Sequence, residues 1–131
     1  MAGRGSALGA WLPVGIWLAV IFGLSSLPNL RPPDVGLPLP DKIAHLGEYA
    51  ILGALLGRAR GSRGPGWRAA LTGALLGLVI GTLDELYQRG TPGRESGAAD
   101  ALADTLGAAL GFWVYTRFAA RRRRRRDASS V

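Results

Sequence analysis

The sequence predicts an all-α fold: a bundle of four transmembrane helices with the N and C termini in the cytoplasm. Three observations support this prediction. Residues 7–30 contain no ionisable side chain, and this run is long enough to cross about 30 Å of hydrocarbon. Apolar segments alternate with links that are rich in proline, glycine or arginine. The basic residues lie mostly in alternate links, as in proteins whose positively charged loops stay inside the cell.

The composition favours a single-domain membrane protein. The 131 residues are 48% hydrophobic and include 20 glycines. A net charge of +7 would suit nucleic acid, but the basic residues lie in links and a tail rather than on one folded face. We therefore expect no nucleic-acid partner. The chain has no cysteine, which excludes disulfides, thiolate ligands and a thiolate nucleophile.

The first predicted span covers residues 8–27. A link with five prolines follows it and excludes regular helix there. A signal peptide preceded by Arg4 is the alternative interpretation of this segment. The apolar run is longer than the usual run of about 7–15 residues and is not followed by a convincing cleavage site, so a retained span is preferred.

Three further spans are predicted at 42–57, 67–88 and 98–118, within a single domain that covers 1–131. Glycine-rich links separate them, and the last one leads into a basic cytoplasmic tail at 119–131. Ionisable residues lie near the ends of these segments, so hydropathy alone leaves two or three spans open.

The distribution of basic residues favours four spans. With the N terminus inside, twelve of the sixteen basic residues fall on the cytoplasmic side, whereas a three-span arrangement breaks this pattern. The run of six arginines at 121–126 is interpreted as a topology anchor that also attracts anionic lipid.

The acidic residues show the opposite bias, because all except Asp127 lie at or beyond the outer half of the predicted bundle. Ionisable groups inside a membrane are costly, usually face one another and often mark function. Successive helical residues are separated by about 100°, which places a polar set on one face of the second helix. This set consists of Asp41, His45, Glu48 and Tyr49.

The third and fourth helices also carry polar residues, on faces that contain glycines at small-xxx-small spacing. This spacing allows membrane helices to approach closely. We therefore expect three helices to converge on one polar pocket in the outer leaflet. The residues are Gly73, Gly77, Gly81, Asp84 and Gln88, with Glu85 at their edge, and Asp100, Asp104, Gly107 and Gly111.

Several of these residues have an alternative structural interpretation. Asp41 and Asp100 suit the first turn of a helix, where a carboxylate is favourable. His45 is also suited to a hydrogen-bonded core position, and Arg94 to an exposed surface. Tyr49 and Gln88 are more often packing or interface residues than catalytic ones.

Four spaced motifs between residues 41 and 111 resemble the VanZ-like family of bacterial membrane proteins. The family usually has asparagine where this chain has Asp104. If that asparagine donates a hydrogen bond to a neighbouring carboxylate, an ionised Asp104 would repel the carboxylate instead. Either Asp104 is protonated or its partner differs. The motifs are Asp41-Lys42-x-x-His45-x-x-x-Tyr49, Asp84-Glu85-x-x-Gln88, Pro92-Gly93-Arg94, and Asp100-x-x-x-Asp104-x-x-Gly107-x-x-x-Gly111.

The resemblance implies a four-helix protein of the cell envelope, in the inner (cytoplasmic) membrane. The founding member of the family is associated with resistance to the glycopeptide antibiotic teicoplanin. The molecular activity of the family is not settled, so the resemblance names no reaction. It does not imply that this chain confers resistance.

The first functional hypothesis is a membrane enzyme that modifies a phospholipid or a lipid-linked envelope precursor. The imidazole of His45 titrates near neutral pH and suits general acid–base catalysis. Glu48, Asp84 and Glu85 would orient it, assist proton transfer or hold a hard divalent cation. Arg94 and Lys42 would receive the lipid phosphate. The other predicted binding residues are Asp41, Tyr49, Gln88, Asp100 and Asp104.

The second hypothesis is a non-catalytic protein that binds lipid or antibiotic, or that scaffolds another envelope protein. A third interpretation is a polar network that only fixes helix register. The expected partners are membrane lipids and a lipid-linked precursor or glycopeptide. No motif indicates a metal or cofactor, and whether the chain is an enzyme and which oligomer it forms stay open.

Overall fold

The computed structural model describes residues 7–31, 36, 39–60, 66–94 and 96–129. Within these ranges the chain forms four α-helices and no strand: α1 (Ala7–Ser25), α2 (Pro40–Arg60), α3 (Gly66–Gln88) and α4 (Ala98–Ser129). The all-α prediction is confirmed, and one helix lies at each predicted span. Helix α4 extends beyond the predicted fourth span and continues through the arginine run to Ser129. Arginine and alanine are strong helix formers, which explains the extension.

Two of the described helices, α1 and α3, are long and apolar enough to cross a bilayer. Helices α2 and α4 carry ionisable residues in and beyond their first turns and do not reach the same hydropathy. The four predicted helices are therefore present, and two of them qualify as membrane spans by length and hydropathy.

Large apolar side chains on all four helices point away from the bundle. On α3 they form a row along the whole helix, whereas a soluble protein rarely exposes a contiguous apolar patch larger than a few hundred Å². This surface suits lipid better than water. The row on α3 consists of Trp67, Leu71, Leu75, Leu78, Val79, Leu83 and Leu86.

Helix α4 packs most extensively against α2 and α3, and α1 lies against α2 and α3 with fewer contacts. Tyr49 and Phe112 are fully buried where α2 meets α4. Ile21, on the inner face of α1, is buried in the same core. Because glycine and alanine occupy more than half of the buried positions of α2, α3 and α4, these helices lie close together.

Glycines allow the backbones of α2 and α4 to touch. A Cβ atom built on Gly53 would overlap the backbone carbonyl of Ala108, and one built on Gly111 would overlap that of Ala50. These contacts leave no room for a side chain, which explains why small residues recur on these two faces.

We expect Gly53→Ala to destabilise the bundle by about 1–3 kcal/mol, the usual cost of forcing extra atoms into a packed interior. Gly47→Ala is the matched control on the same helix, because no atom lies within 4 Å of its Cβ position. That substitution should be neutral or should stabilise α2 by up to about 1 kcal/mol. Thermal unfolding of the purified proteins in detergent compares them. Equal stability of the two variants would contradict the close α2–α4 contact.

Candidate functional site

Polar side chains converge at one end of the bundle, here called the polar end. It consists of the last turns of α1 and α3 and the first turns of α2 and α4. A cleft of about 590 Å³ opens there, with apolar and polar residues in its wall. Six of the predicted site residues line this cleft: Asp41, His45, Glu48, Gln88, Arg94 and Asp100.

The five other predicted site residues lie outside the wall of the cleft: Lys42, Tyr49, Asp84, Glu85 and Asp104. Asp84, Glu85 and Asp104 are buried behind it, between α3 and α4 and their neighbours. The predicted set is therefore divided into residues that can reach a ligand in the cleft and residues that support the wall.

His45 and Asp104 join α2 to α4. The His45 Nδ1–H group donates a hydrogen bond of 2.9 Å to Asp104 Oδ1. The Asp104 side chain is fully buried and that of His45 is 12% exposed. The partner of Asp104 is therefore an imidazole and not another carboxylate.

Lys42 makes the second link between α2 and α4. Its ammonium group forms ion pairs with Asp100 and, at 2.7 Å, with Asp41. Asp100 is only 3% exposed, whereas the side chain of Asp41 is 48% exposed. Both acids lie in the first turn of their helix, where a carboxylate is also stabilised by the helix dipole. Lys42 therefore acts as the counter-ion of a buried carboxylate.

Asp84 is the centre of a network that connects α1 to α3. Ser25 Oγ donates to Asp84 Oδ1 at 2.6 Å, and Gln88 Nε2 donates to Asp84 Oδ2 at 3.1 Å. Both carboxylate oxygens are thus occupied, which favours a structural role for Asp84. Ser25 was missed by the sequence prediction. The signal for it was a pair of serines at the end of an otherwise apolar span.

Arg94 lies in the loop between α3 and α4 and forms part of the wall of the cleft. It donates hydrogen bonds to the Leu30 carbonyl at 2.9 Å and to Gln88 Oε1 at 3.2 Å. Its Nε–H group is buried and has no partner in the described part of the chain. Arg31, which the sequence prediction also missed, lines the same cleft. The wall therefore carries two guanidinium groups, and that of Arg94 has one N–H group without an acceptor.

Glu85 differs from the other buried acids of the described chain, because no side chain forms a hydrogen bond or an ion pair with it. It is 4% exposed, and within the described ranges neither carboxylate oxygen accepts a hydrogen bond. The Gly97 backbone amide lies near it but outside hydrogen-bonding geometry. The Tyr49 hydroxyl is similarly buried without a described partner. Glu48 faces the cleft, and its backbone carbonyl accepts a 2.9 Å hydrogen bond from Trp17 of α1.

The apolar outer surface, the two candidate spans and the polar end together define a small all-helical membrane protein with a polar cleft at one end of its bundle. Comparison with family models identifies the family: the model described as VanZ/LLP1 matches residues 10–119. The chain belongs to this family. The comparisons gave no match among curated proteins and none among solved structures.

Proposed function

We propose that the chain crosses the cytoplasmic membrane four times, with both termini inside and the polar end at the outer face. All four helices expose apolar side chains, including Ile43 and Ile51 on α2 and Leu106 and Leu110 on α4, which supports membrane crossing by the two more polar helices. The bias in basic residues supports the orientation. Arg4 and Arg63, which contribute to that bias, lie outside the described residues.

The ligand of the cleft is proposed to be a phosphate-bearing lipid headgroup, from a phospholipid or a lipid-linked envelope precursor. The observation that carries this proposal is the guanidinium of Arg94 in the cleft wall with a buried, unpartnered Nε–H group. A buried donor without an acceptor is costly, and guanidinium groups bind phosphate through several charge-assisted hydrogen bonds. Arg31 adds a second positive charge beside it.

The shape and lining of the cleft agree with such a ligand. Its volume of about 590 Å³ is typical of small-molecule sites. Leu24, Leu30 and Pro40 contribute apolar wall next to the two arginines. A headgroup attached to an acyl or isoprenoid chain presents the same combination of charge and apolar surface.

A second candidate function is enzymatic modification of the bound lipid, and the His45–Asp104 pair favours it. His45 lines the cleft while the buried Asp104 carboxylate holds its ring from behind, as acids orient the imidazole in many acid–base sites. Turnover of radiolabelled lipid precursors by the purified protein, and its loss in His45→Gln, would support this function. Binding without turnover would leave recognition as the activity.

Arg94→Ala is expected to weaken binding of a phosphate-bearing lipid by about 10–100-fold, which corresponds to the loss of one charge-assisted interaction of about 1.5–3 kcal/mol. Arg94→Lys should lose less, since it keeps the charge but not the planar fork. The measurement is binding of phosphatidylglycerol to the purified protein, with diacylglycerol as the ligand without phosphate.

Arg89→Ala is the matched control for Arg94, because Arg89 is exposed near the same end and does not line the cleft. Its affinity for phosphatidylglycerol should equal that of the wild type. Arg94→Ala also loses hydrogen bonds to Leu30 and Gln88, so its thermal stability is measured in parallel. A folded Arg94→Ala protein with unchanged affinity would contradict the proposal.

A further inference from the structure

Three side chains from three helices meet behind the cleft: His45 of α2, Glu85 of α3 and Asp104 of α4. Each offers one ligand atom, and these atoms all lie within 4.8 Å of one another. Glu85 and Asp104 are almost completely buried, and His45 reaches from them to the wall of the cleft.

The polar atoms of this cluster are incompletely satisfied. Both oxygens of Glu85 and the Oδ2 atom of Asp104 are buried and have no hydrogen-bond partner among the described residues. The nearby cations are engaged elsewhere: Lys42 pairs with Asp41 and Asp100, and Arg94 donates to Leu30 and Gln88. Two buried carboxylates therefore share a single imidazole as their positive partner, although uncompensated charge in a low-dielectric interior is costly.

We infer that His45, Glu85 and Asp104 together bind one divalent transition-metal cation of the Zn²⁺ or Mn²⁺ class. Imidazole nitrogen suits Zn²⁺ and carboxylate oxygen suits Mn²⁺, whereas Mg²⁺ and Ca²⁺ are usually bound by oxygen alone. Ligand atoms lie about 2.0–2.2 Å from Zn²⁺, so two of them are at most about 4.4 Å apart. The observed separations reach this value with a small adjustment of side chains. Three protein ligands leave a coordination position for water or a ligand, as in catalytic zinc sites.

The packing of α3 against α4 holds the two carboxylates close together. A Cβ atom built on Gly81 would lie 2.8 Å from Cβ and Oδ2 of Asp104, so the absence of a side chain there lets α3 approach Asp104. Glu85 lies one turn further along α3 and on nearly the same face. The inferred ion would tie three helices together at the polar end, and it does not depend on lipid binding in the cleft.

The test measures Zn²⁺ and Mn²⁺ binding to the purified full chain. An affinity tag without histidine is required, because His45 is the only histidine in the sequence. After treatment with a chelator, the protein is dialysed against each ion and the bound metal is determined per chain. We expect one ion per wild-type chain, a higher unfolding temperature with the ion, and protection of His45 from an imidazole-modifying reagent.

Glu85→Gln and Asp104→Asn keep the side-chain shape and remove one carboxylate each, and we expect both to lower the affinity for the ion at least 10-fold. Asp127→Asn is the control, because it removes an exposed carboxylate near the opposite end of α4, away from the cluster. It should bind one ion as the wild type does. The inference would be overturned if the wild-type protein bound neither ion, or if Glu85→Gln bound the ions as tightly as the wild type. Either result would indicate that Glu85 is protonated in the folded protein.

Discussion

Replacing Lys42 with methionine is expected to lower the abundance of the folded protein in the membrane several-fold. Methionine keeps a long apolar side chain but takes the counter-ion away from Asp100, which is 3% exposed. Removing one partner of a buried ion pair costs about 3–5 kcal/mol, because the other charge stays buried and uncompensated. Lys42 itself is partly accessible, which places the expected loss at about 3 kcal/mol. Since folded proteins have only about 5–15 kcal/mol of stability, the effect should be large.

Membrane abundance and thermal stability of the purified protein measure this loss. The double variant with Asp100→Asn should regain much of it, because no uncompensated charge is then left behind. Lys42→Arg keeps the charge and should lose little. Arg89→Met removes an exposed cation near the same end and should be close to wild type. If Lys42→Met were as stable as Arg89→Met, the Lys42–Asp100 pair would not hold α2 to α4.

The second large effect is expected at Asp104, where a change to asparagine should be tolerated and a change to leucine should not. In Asp104→Asn, the side-chain amide oxygen can still accept the hydrogen bond from His45 Nδ1–H. Leucine leaves that donor unsatisfied, at about 1–3 kcal/mol. Its branched side chain would also press on α3 at Gly81, where the contact with Asp104 is already close.

Membrane abundance and unfolding temperature of the wild type, Asp104→Asn and Asp104→Leu distinguish these outcomes. Asp104→Asn also distinguishes an effect on folding from an effect on metal binding. This variant should remain folded in the absence of metal, whereas added Zn²⁺ should raise the unfolding temperature of the wild type only. If asparagine were the worse replacement and leucine were harmless, Asp104 would act as a charge or face lipid. The arrangement of the polar end described above would then be wrong.

The sequence was sufficient to predict helix positions and most of the inward-facing residues. Proline and glycine end the first three helices, and the helical period places Asp84 with Gln88, and Asp100 with Asp104, on shared faces. The small-residue rows of α3 and α4 lie on the same faces, so they indicated which side of these two helices packs inward. The bounds of the helices differed mainly at α4, which continues past the predicted span to Ser129.

The pairing of individual side chains could not be predicted, since it depends on how each helix is rotated against residues distant in the chain. The almost uniformly apolar α1 gave no polar face from which to orient it, which is why Ser25 was missed. On α3, Glu85 was placed at the edge of the polar face yet is almost fully buried. The cluster of His45, Glu85 and Asp104 arises only when three helices are packed together.

The most direct test of the whole account is the side of the membrane on which the polar end lies. The chain has no native cysteine, so single cysteines can be introduced without background. In intact cells, an impermeant thiol reagent should label Ser96→Cys and Gly90→Cys, which lie in the loop at the polar end. It should reach Ser62→Cys, which is outside the described residues, only after permeabilisation. Labelling of position 62 in intact cells, with positions 90 and 96 protected, would contradict an outward-facing cleft.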